Sequence, residues 1–243
     1  MSKILKSISA TSITTYEECP LKWKYQYIYK LLQLPNDAFI IGIAYHKALQ
    51  FYHQLPTENT KEKIIKQLKN EMLIKKTDDE IKRFSLVRKM FEKYIENPVL
   101  GNIIEKEFNF NVTLPGLPVK LYGFVDRVDE YFIIEYKTTS EDYTQERIDN
   151  LQSKIYTYAV LKTKGKLLPV KYSVNNKKKV DKKEYKPQVL TIQYNQDDMK
   201  KLEQKCLEFY NQIQHSEFKH RQGSHCYYCP FGSKGTDNCP YSL

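Results

Sequence analysis

The chain has 243 residues, 41% hydrophobic and 28% charged, which suits one large globular domain or two small ones at roughly 100 to 200 residues each. No stretch approaches the ~18 consecutive apolar residues of a membrane span, and the N-terminus lacks the apolar run and cleavage site of a secretory signal. A soluble, cytoplasmic, reducing setting is expected, where five cysteines, an odd number, point to metal or redox chemistry rather than to disulfides. Lys and Arg outnumber Asp and Glu 39 to 29, a formal charge of +10, so a polyanion such as nucleic acid is an expected partner. The 20 tyrosines offer faces for unstacked bases, and are equally ordinary core material.

In chain order, Pro20 can open a helix with Leu21, Tyr25, Ile28 and Leu32 on one stripe. A period-2 reading of Trp23, Tyr25, Tyr27 and Tyr29 competes with it. Amphipathic helices are predicted over 38–55, 61–76 and 79–97, making residues 1–100 mainly helical. From Ile103 the period becomes two, and strands are predicted over 105–113, 119–128 and 131–138. A helix over 145–162, strands over 170–174 and 188–194, and a helix over 196–216 follow. Residues 175–186 hold six lysines and read as an exposed loop, either a solvated turn or a phosphate-contacting arm. The end, 223–243, is irregular and holds three cysteines.

If Asp129 and Glu130 make a tight turn, Val128 faces Tyr131, Asp126 faces Ile133 and Phe124 faces Glu135. Asp126, Glu135 and Lys137 then share one sheet face, with Asp126 and Glu135 diagonal neighbours at about 7 to 8 Å. Two hard oxygen ligands at that spacing can hold Mg²⁺ or Mn²⁺ with positions open for water and a phosphate oxygen. Lys137 would orient the water or stabilise charge growing on the phosphate. The alternative is a structural ion pair, although charges ending the apolar run from Tyr131 call for a reason.

The segment YGFVDRVDEYFIIEYKTTS resembles the active-site hairpin of the PD-(D/E)XK nuclease superfamily, with Asp126 and Glu135-Tyr136-Lys137 as its motif. GIAYHKAL at 42–49 looks like the helix that supplies a metal-binding histidine in the RecB-like branch, which places that role on His46 rather than on His53. Gln152 and Tyr156 match the QxxxY motif of the same branch and lie on one helix face. The resemblance spans 9–240 and implies an α/β fold, a mixed central sheet flanked by helices as in restriction endonucleases. It implies further that His46, Asp126, Glu135 and the Tyr136 carbonyl hold the metal, with Lys137, Gln152 and Tyr156 assisting.

Among the cysteines, Cys206 falls on the apolar seam Met199, Leu202, Cys206, Phe209, Ile213 and reads as core. Cys19, Cys226, Cys229 and Cys239 remain, and three of them precede proline, which suits an iron–sulfur cluster better than a zinc ribbon. One N-terminal and three C-terminal cysteines resemble the iron–sulfur nucleases of the RecB-like branch, including CRISPR-associated exonucleases and the AddB nuclease domain; SITTYEECPLKWKYQYI looks like their opening. The longer gap between the last two cysteines departs from that pattern, and zinc, with His225 in place of one thiolate, is the alternative. Either centre would staple the chain ends together.

The expectation is one nuclease domain over 1–243: a mainly helical portion over 1–100, a catalytic sheet core over 101–194 and a helix with the cysteine segment over 195–243. Its expected activity is Mg- or Mn-dependent hydrolysis of DNA, by resemblance single-stranded DNA from an end, in recombination, repair or CRISPR adaptation. The rivals are a DNA-binding subunit without turnover and a nuclease active only beside a recombination or CRISPR-adaptation partner. Lys22, Trp23, Lys24 and Tyr25 interleave cations and rings, so Trp23 either holds a base or belongs to the core.

Overall fold

A computed structural model describes residues 5–33, 35–54, 60–232, 235–236 and 238–241. The strands are β1 (Ser7–Ile8), β2 (Ile103–Thr113), β3 (Lys120–Asp129), β4 (Ile133–Thr139), β5 (Val170–Asn176) and β6 (Gln188–Ile192). The helices are α1 (Ala10–Glu18), α2 (Pro20–Trp23), α3 (Asp37–Gln54), α4 (Thr60–Met72), α5 (Asp78–Glu96), α6 (Gln145–Ile148), α7 (Leu151–Lys164) and α8 (Gln196–Gln214). The six strands form one mixed sheet in which β2 and β3, β3 and β4, and β5 and β6 pair antiparallel, while β1 joins β3 and β4 joins β5 in parallel.

Helices cover both faces. Neighbouring residues of β4 point to opposite sides, and Ile133 joins a core with Trp23, Ile155 and Leu202, whereas Ile134 joins one with Tyr45, Leu49, Phe91 and Tyr94. Burial on both faces explains the unbroken apolar start of this strand. Local chemistry fixes the helix ends. Thr77 caps α5 by accepting from the Glu80 N–H, and three carboxylates sit in its first turn. Asn195 and Asp198 form a reciprocal box at the start of α8, and Gly165, at φ +69°, ends α7 in the left-handed conformation. Met199, Leu202, Cys206, Phe209 and Ile213 are all buried along α8, as their spacing predicts.

Several details differ from the sequence reading. β1 and α1 were not anticipated: the Thr- and Ser-rich segment of α1 shows little amphipathic contrast, and its start is secured by a Ser9–Ser12 capping box. The single helix predicted over 145–162 is two, because Asn150 caps α7 through the Ser153 N–H. Neither periodicity proposed after Pro20 holds, since α2 passes into a π-helical turn, Lys24–Ile28. Trp23 is wholly buried, stacked with Tyr27 at 5.2 Å and Phe218 at 5.5 Å, so it is core and does not hold a base. The lysine-rich loop is docked: Val180 is buried in the core beside α5, Lys179 pairs with Asp142, and Asp181 pairs with Lys89. The helix predicted over 38–55 is described as far as Gln54, and Leu55 lies outside the described residues.

The β3–β4 connection is also longer than the two-residue turn expected. Val128 pairs with Ile133 and Arg127 with Ile134, and the Asp129 N–H closes the turn on the Phe132 carbonyl at 2.8 Å. A shift of two residues preserves the parity of the pairing, but alternation along β3 breaks beside Asp126: Val125 and Val128 enter the same core, while Arg127 reaches Tyr136 in the other.

Candidate active site

The β3–β4 ladder consists of those two pairs, after which the strands separate. At the fork the Tyr136 N–H donates to Asp126 Oδ2 at 2.8 Å instead of to a strand carbonyl. The other oxygen, Oδ1, lies 2.8 Å from Nδ1 of His46, which α3 brings over the same point. Glu135 and Lys137 flank Tyr136 on β4, with Lys137 Nζ 2.6 Å from Glu135 Oε1. From α7, Gln152 accepts from Lys137 at 2.9 Å and donates to Glu135 at 3.2 Å and to the Tyr156 hydroxyl at 2.5 Å. Thus His46, Asp126, Glu135, Tyr136, Lys137, Gln152 and Tyr156 converge on one fork, with Asp126 bonded to the strand that carries Glu135.

The fork is electrostatically divided. Burial pushes the Glu135 carboxyl up to about 7, against the pull of Lys137. Burial also works to raise Asp126, but His46, the Tyr136 N–H and Lys137 together hold it below the ordinary range. Desolvation opposes charge on His46, and the Asp126 carboxylate outweighs it and raises the imidazole. Lys137 is likewise raised, Glu135 outweighing burial, so it stays an ammonium. Among the described residues no three His, Cys, Asp or Glu side chains form a preassembled metal cage. His46 is turned onto Asp126, and Glu135 onto Lys137 and Gln152. Their donor chemistry, two carboxylates and an imidazole, nevertheless suits a hard divalent cation.

A model of the PD-(D/E)XK nuclease superfamily matches residues 7–233. The chain belongs to the PD-(D/E)XK nuclease superfamily. Among solved structures it is similar to a putative exonuclease from Eubacterium rectale, with TM-score 0.61 and 12% identity over 92% of this chain and 87% of that one. SSO0001 also aligns, with TM-score 0.46 and 14% identity over 100% of this chain and 90% of that one. A search of curated proteins returns no match.

Behind the fork of this nuclease lies a buried network that the sequence reading missed. Arg127 donates from Nε and Nη2 to the two Asp129 oxygens, both at 2.7 Å, from Nη2 to the Val99 carbonyl at 2.9 Å and from Nη1 to the Tyr136 hydroxyl at 3.1 Å. His53 Nε2 lies 2.9 Å from the Tyr94 hydroxyl and 3.0 Å from that of Tyr136. Desolvation, then Arg127 and Lys106, lowers the His53 imidazole to about 3, so it is a neutral acceptor. His53, the competitor of His46 in the sequence, is thereby assigned to the support of Tyr136. An arginine between Val125 and Val128, with Asp129 two residues on, was the available signal.

The cysteines meet elsewhere. Cys19, Cys226, Cys229 and Cys239 line one small cavity together with His220 and His225. All five cysteines are free, and Cys206 is buried apart from the four. Cys226 Sγ lies 3.5 Å from His220 Nε2, a neighbour the sequence did not single out, whereas His225 Nε2 is 3.0 Å from the Arg221 carbonyl. The thiols share a cavity without forming a preassembled cage. Part of the insertion before Cys239, at Ser233, Lys234 and Asp237, lies outside the described residues.

Proposed function

We propose that this nuclease hydrolyses single-stranded DNA from an end, with Mg²⁺ or Mn²⁺ as cofactor. The observation that carries the reading is the strand fork, where Asp126, Glu135, Lys137 and His46 are drawn together by three different elements. Asp126, Glu135, His46 and the Tyr136 carbonyl would hold the cation, which when bound lowers the pKa of water and polarises the phosphate. Lys137, steadied by Glu135 and Gln152, orients the attacking water and offsets charge growing on the non-bridging oxygens. Water oxygen bonds to phosphorus and gives up one proton, the bond from phosphorus to the leaving sugar oxygen breaks, and that oxygen takes up a proton, so the net change is the addition of one water across the P–O bond. Gln152, bonded to Glu135, Lys137 and Tyr156, fixes the two catalytic side chains relative to each other.

The same reading takes the 243 residues as one nuclease unit and assigns Cys19, Cys226, Cys229 and Cys239 to an iron–sulfur cluster, a 4Fe–4S centre, with zinc as the alternative. Their common cavity supports it, since one ligand comes from the N-terminal region and three from the C-terminal end. A bound centre would add its binding free energy to the joining of those segments. The test is incubation with Mn²⁺ and end-labelled single- and double-stranded DNA: mononucleotides released first from single strands support the reading, and internal cuts in duplex alone oppose it.

A further inference from the structure

The strand that carries Asp126 has an unusual edge. β2 occupies one side of β3 from Glu105 to Thr113. The other side is shared: β1 pairs at Lys120 and Leu121, and β4 pairs at Arg127 and Val128. Between them, residues 122–126 have no ladder partner on that side among the described residues. This gap opens into a groove of about 440 Å³ whose lining includes Tyr27, Tyr122, Phe124, Gln152 and Tyr156.

Its chemistry contrasts with the fork beside it. Among the described residues no charged side chain lines the groove, and five of its twelve lining residues are Tyr or Phe. Tyr122 and Phe124 are alternate residues of one strand, about 7 Å apart, and Asp126 follows two residues further along it, where the alternation of faces breaks between Val125 and Val128. Phe124 is 61% exposed although it is a large apolar ring on a central strand. Gly123 lets the groove floor close up beneath it, since a Cβ there would stand 2.6 Å from Phe110 Cζ. The far wall is formed by the start of α1 and by Tyr27, whose ring is stacked on buried Trp23.

We infer that this groove is a base-binding subsite: it takes the unstacked bases of a single strand whose phosphate enters the fork. The inference rests on the nuclease reading above and names the part of the substrate that the groove recognises. A neutral aromatic lining does not match phosphate, which needs cations, and it does match the flat, uncharged face of a base. Gln152 and Tyr156 belong to both groove and fork, so a base held here sets the position of the phosphate beside Asp126. Paired, stacked bases cannot enter, and a duplex must fray before it is cut.

The test measures anisotropy of a labelled oligothymidylate and of an abasic oligomer of equal length, with EDTA to suppress cleavage. The parent protein should bind the base-containing strand more tightly, and Phe124→Ala and Tyr122→Ala should each reduce that preference, by about 5- to 150-fold for a lost stacking contact. Binding of the abasic strand should not change. Phe124 is exposed, so its variant keeps the fold, which a melting curve verifies. Equal binding of the two oligomers by the parent, or an undiminished preference in Phe124→Ala, overturns the inference. If base-dependent binding persists but Mn²⁺ elicits no cleavage, the nuclease reading fails and the subsite stands; cleavage without base-dependent binding gives the reverse.

Discussion

Asp126 accepts the backbone N–H of Tyr136 at 2.8 Å, so a carboxylate of one strand occupies the place where a carbonyl would continue the ladder. The strand separation and the placing of the carboxylate are therefore one feature. Across the sheet on β2, Glu107 adopts φ +48°, and the recorded pairing passes from Lys106–Arg127 to Phe108–Val125 around it. A non-glycine residue in that conformation costs about 1 to 2 kcal/mol. Distortion is concentrated on both strands at the level of Asp126.

Asp126→Asn keeps an oxygen acceptor for the Tyr136 N–H, whereas Asp126→Ala leaves the donor to find water. Urea unfolding should show the alanine variant less stable than the asparagine variant by about 1 kcal/mol. Equal stabilities would mean that this hydrogen bond does not hold the fork.

Arg127 and Asp129 form an ion pair whose side chains are each 2% exposed. Arg127→Ala strands a buried carboxylate and should cost about 3 to 5 kcal/mol in denaturant unfolding. Arg127→Met combined with Asp129→Leu, which removes both charges, should recover a large part of the loss. A loss under 1 kcal/mol for the single variant would show that the network does not carry the strand.

The sequence disclosed what depends on residue type and period. β4 was recognisable because Ile133 and Ile134 precede Glu135 and Lys137, and α8 because its five buried residues recur at helical spacing. The pairing parity survived a wrong turn length because the shift is of two residues, but the break in alternation beside Asp126, where Val125 and Val128 enter one core, left no trace in the period. His46 was selected over His53 by resemblance, not by helical spacing, since both lie on α3. What stayed hidden depends on distant segments. Arg127 gains its meaning from Val99, His53 and Tyr136, and the groove beside Phe124 exists because β1 and β4 stop short of each other along β3. The α6–α7 break turns on one capping bond of Asn150, which competes with helix continuation too weakly to show in periodicity.

His53 titrates ordinarily near 6.5, and burial lowers it to about 3 in the fold. The unfolded chain therefore binds the additional proton between those values, so this histidine's contribution is complete above pH 6.5 and is lost as pH falls toward 3. The decline in stability from pH 7 to pH 4 should be shallower in His53→Gln than in the parent. Identical slopes would assign the acid sensitivity to other groups.

Burial raises the Cys206 thiol to about 12. It should resist iodoacetamide in the folded protein at pH 8, because the thiolate is the reactive form. Mass mapping after alkylation should find Cys206 unmodified until denaturant is added. Anaerobically purified protein should be brown, and Cys206→Ala should keep the colour while Cys19→Ala loses it. Colourless protein with stoichiometric zinc would replace iron–sulfur by zinc in the same cavity.

The most direct test of the fork is single-turnover cleavage of end-labelled single-stranded DNA in Mn²⁺ by the parent, Asp126→Ala and Lys137→Ala, each first shown to be folded by circular dichroism. The parent should release nucleotides from an end, and both variants should be inactive because one lacks the proposed metal ligand and the other the ammonium proposed to serve the water. Undiminished cleavage by either folded variant would contradict the assignment of catalysis to the separation of β3 from β4.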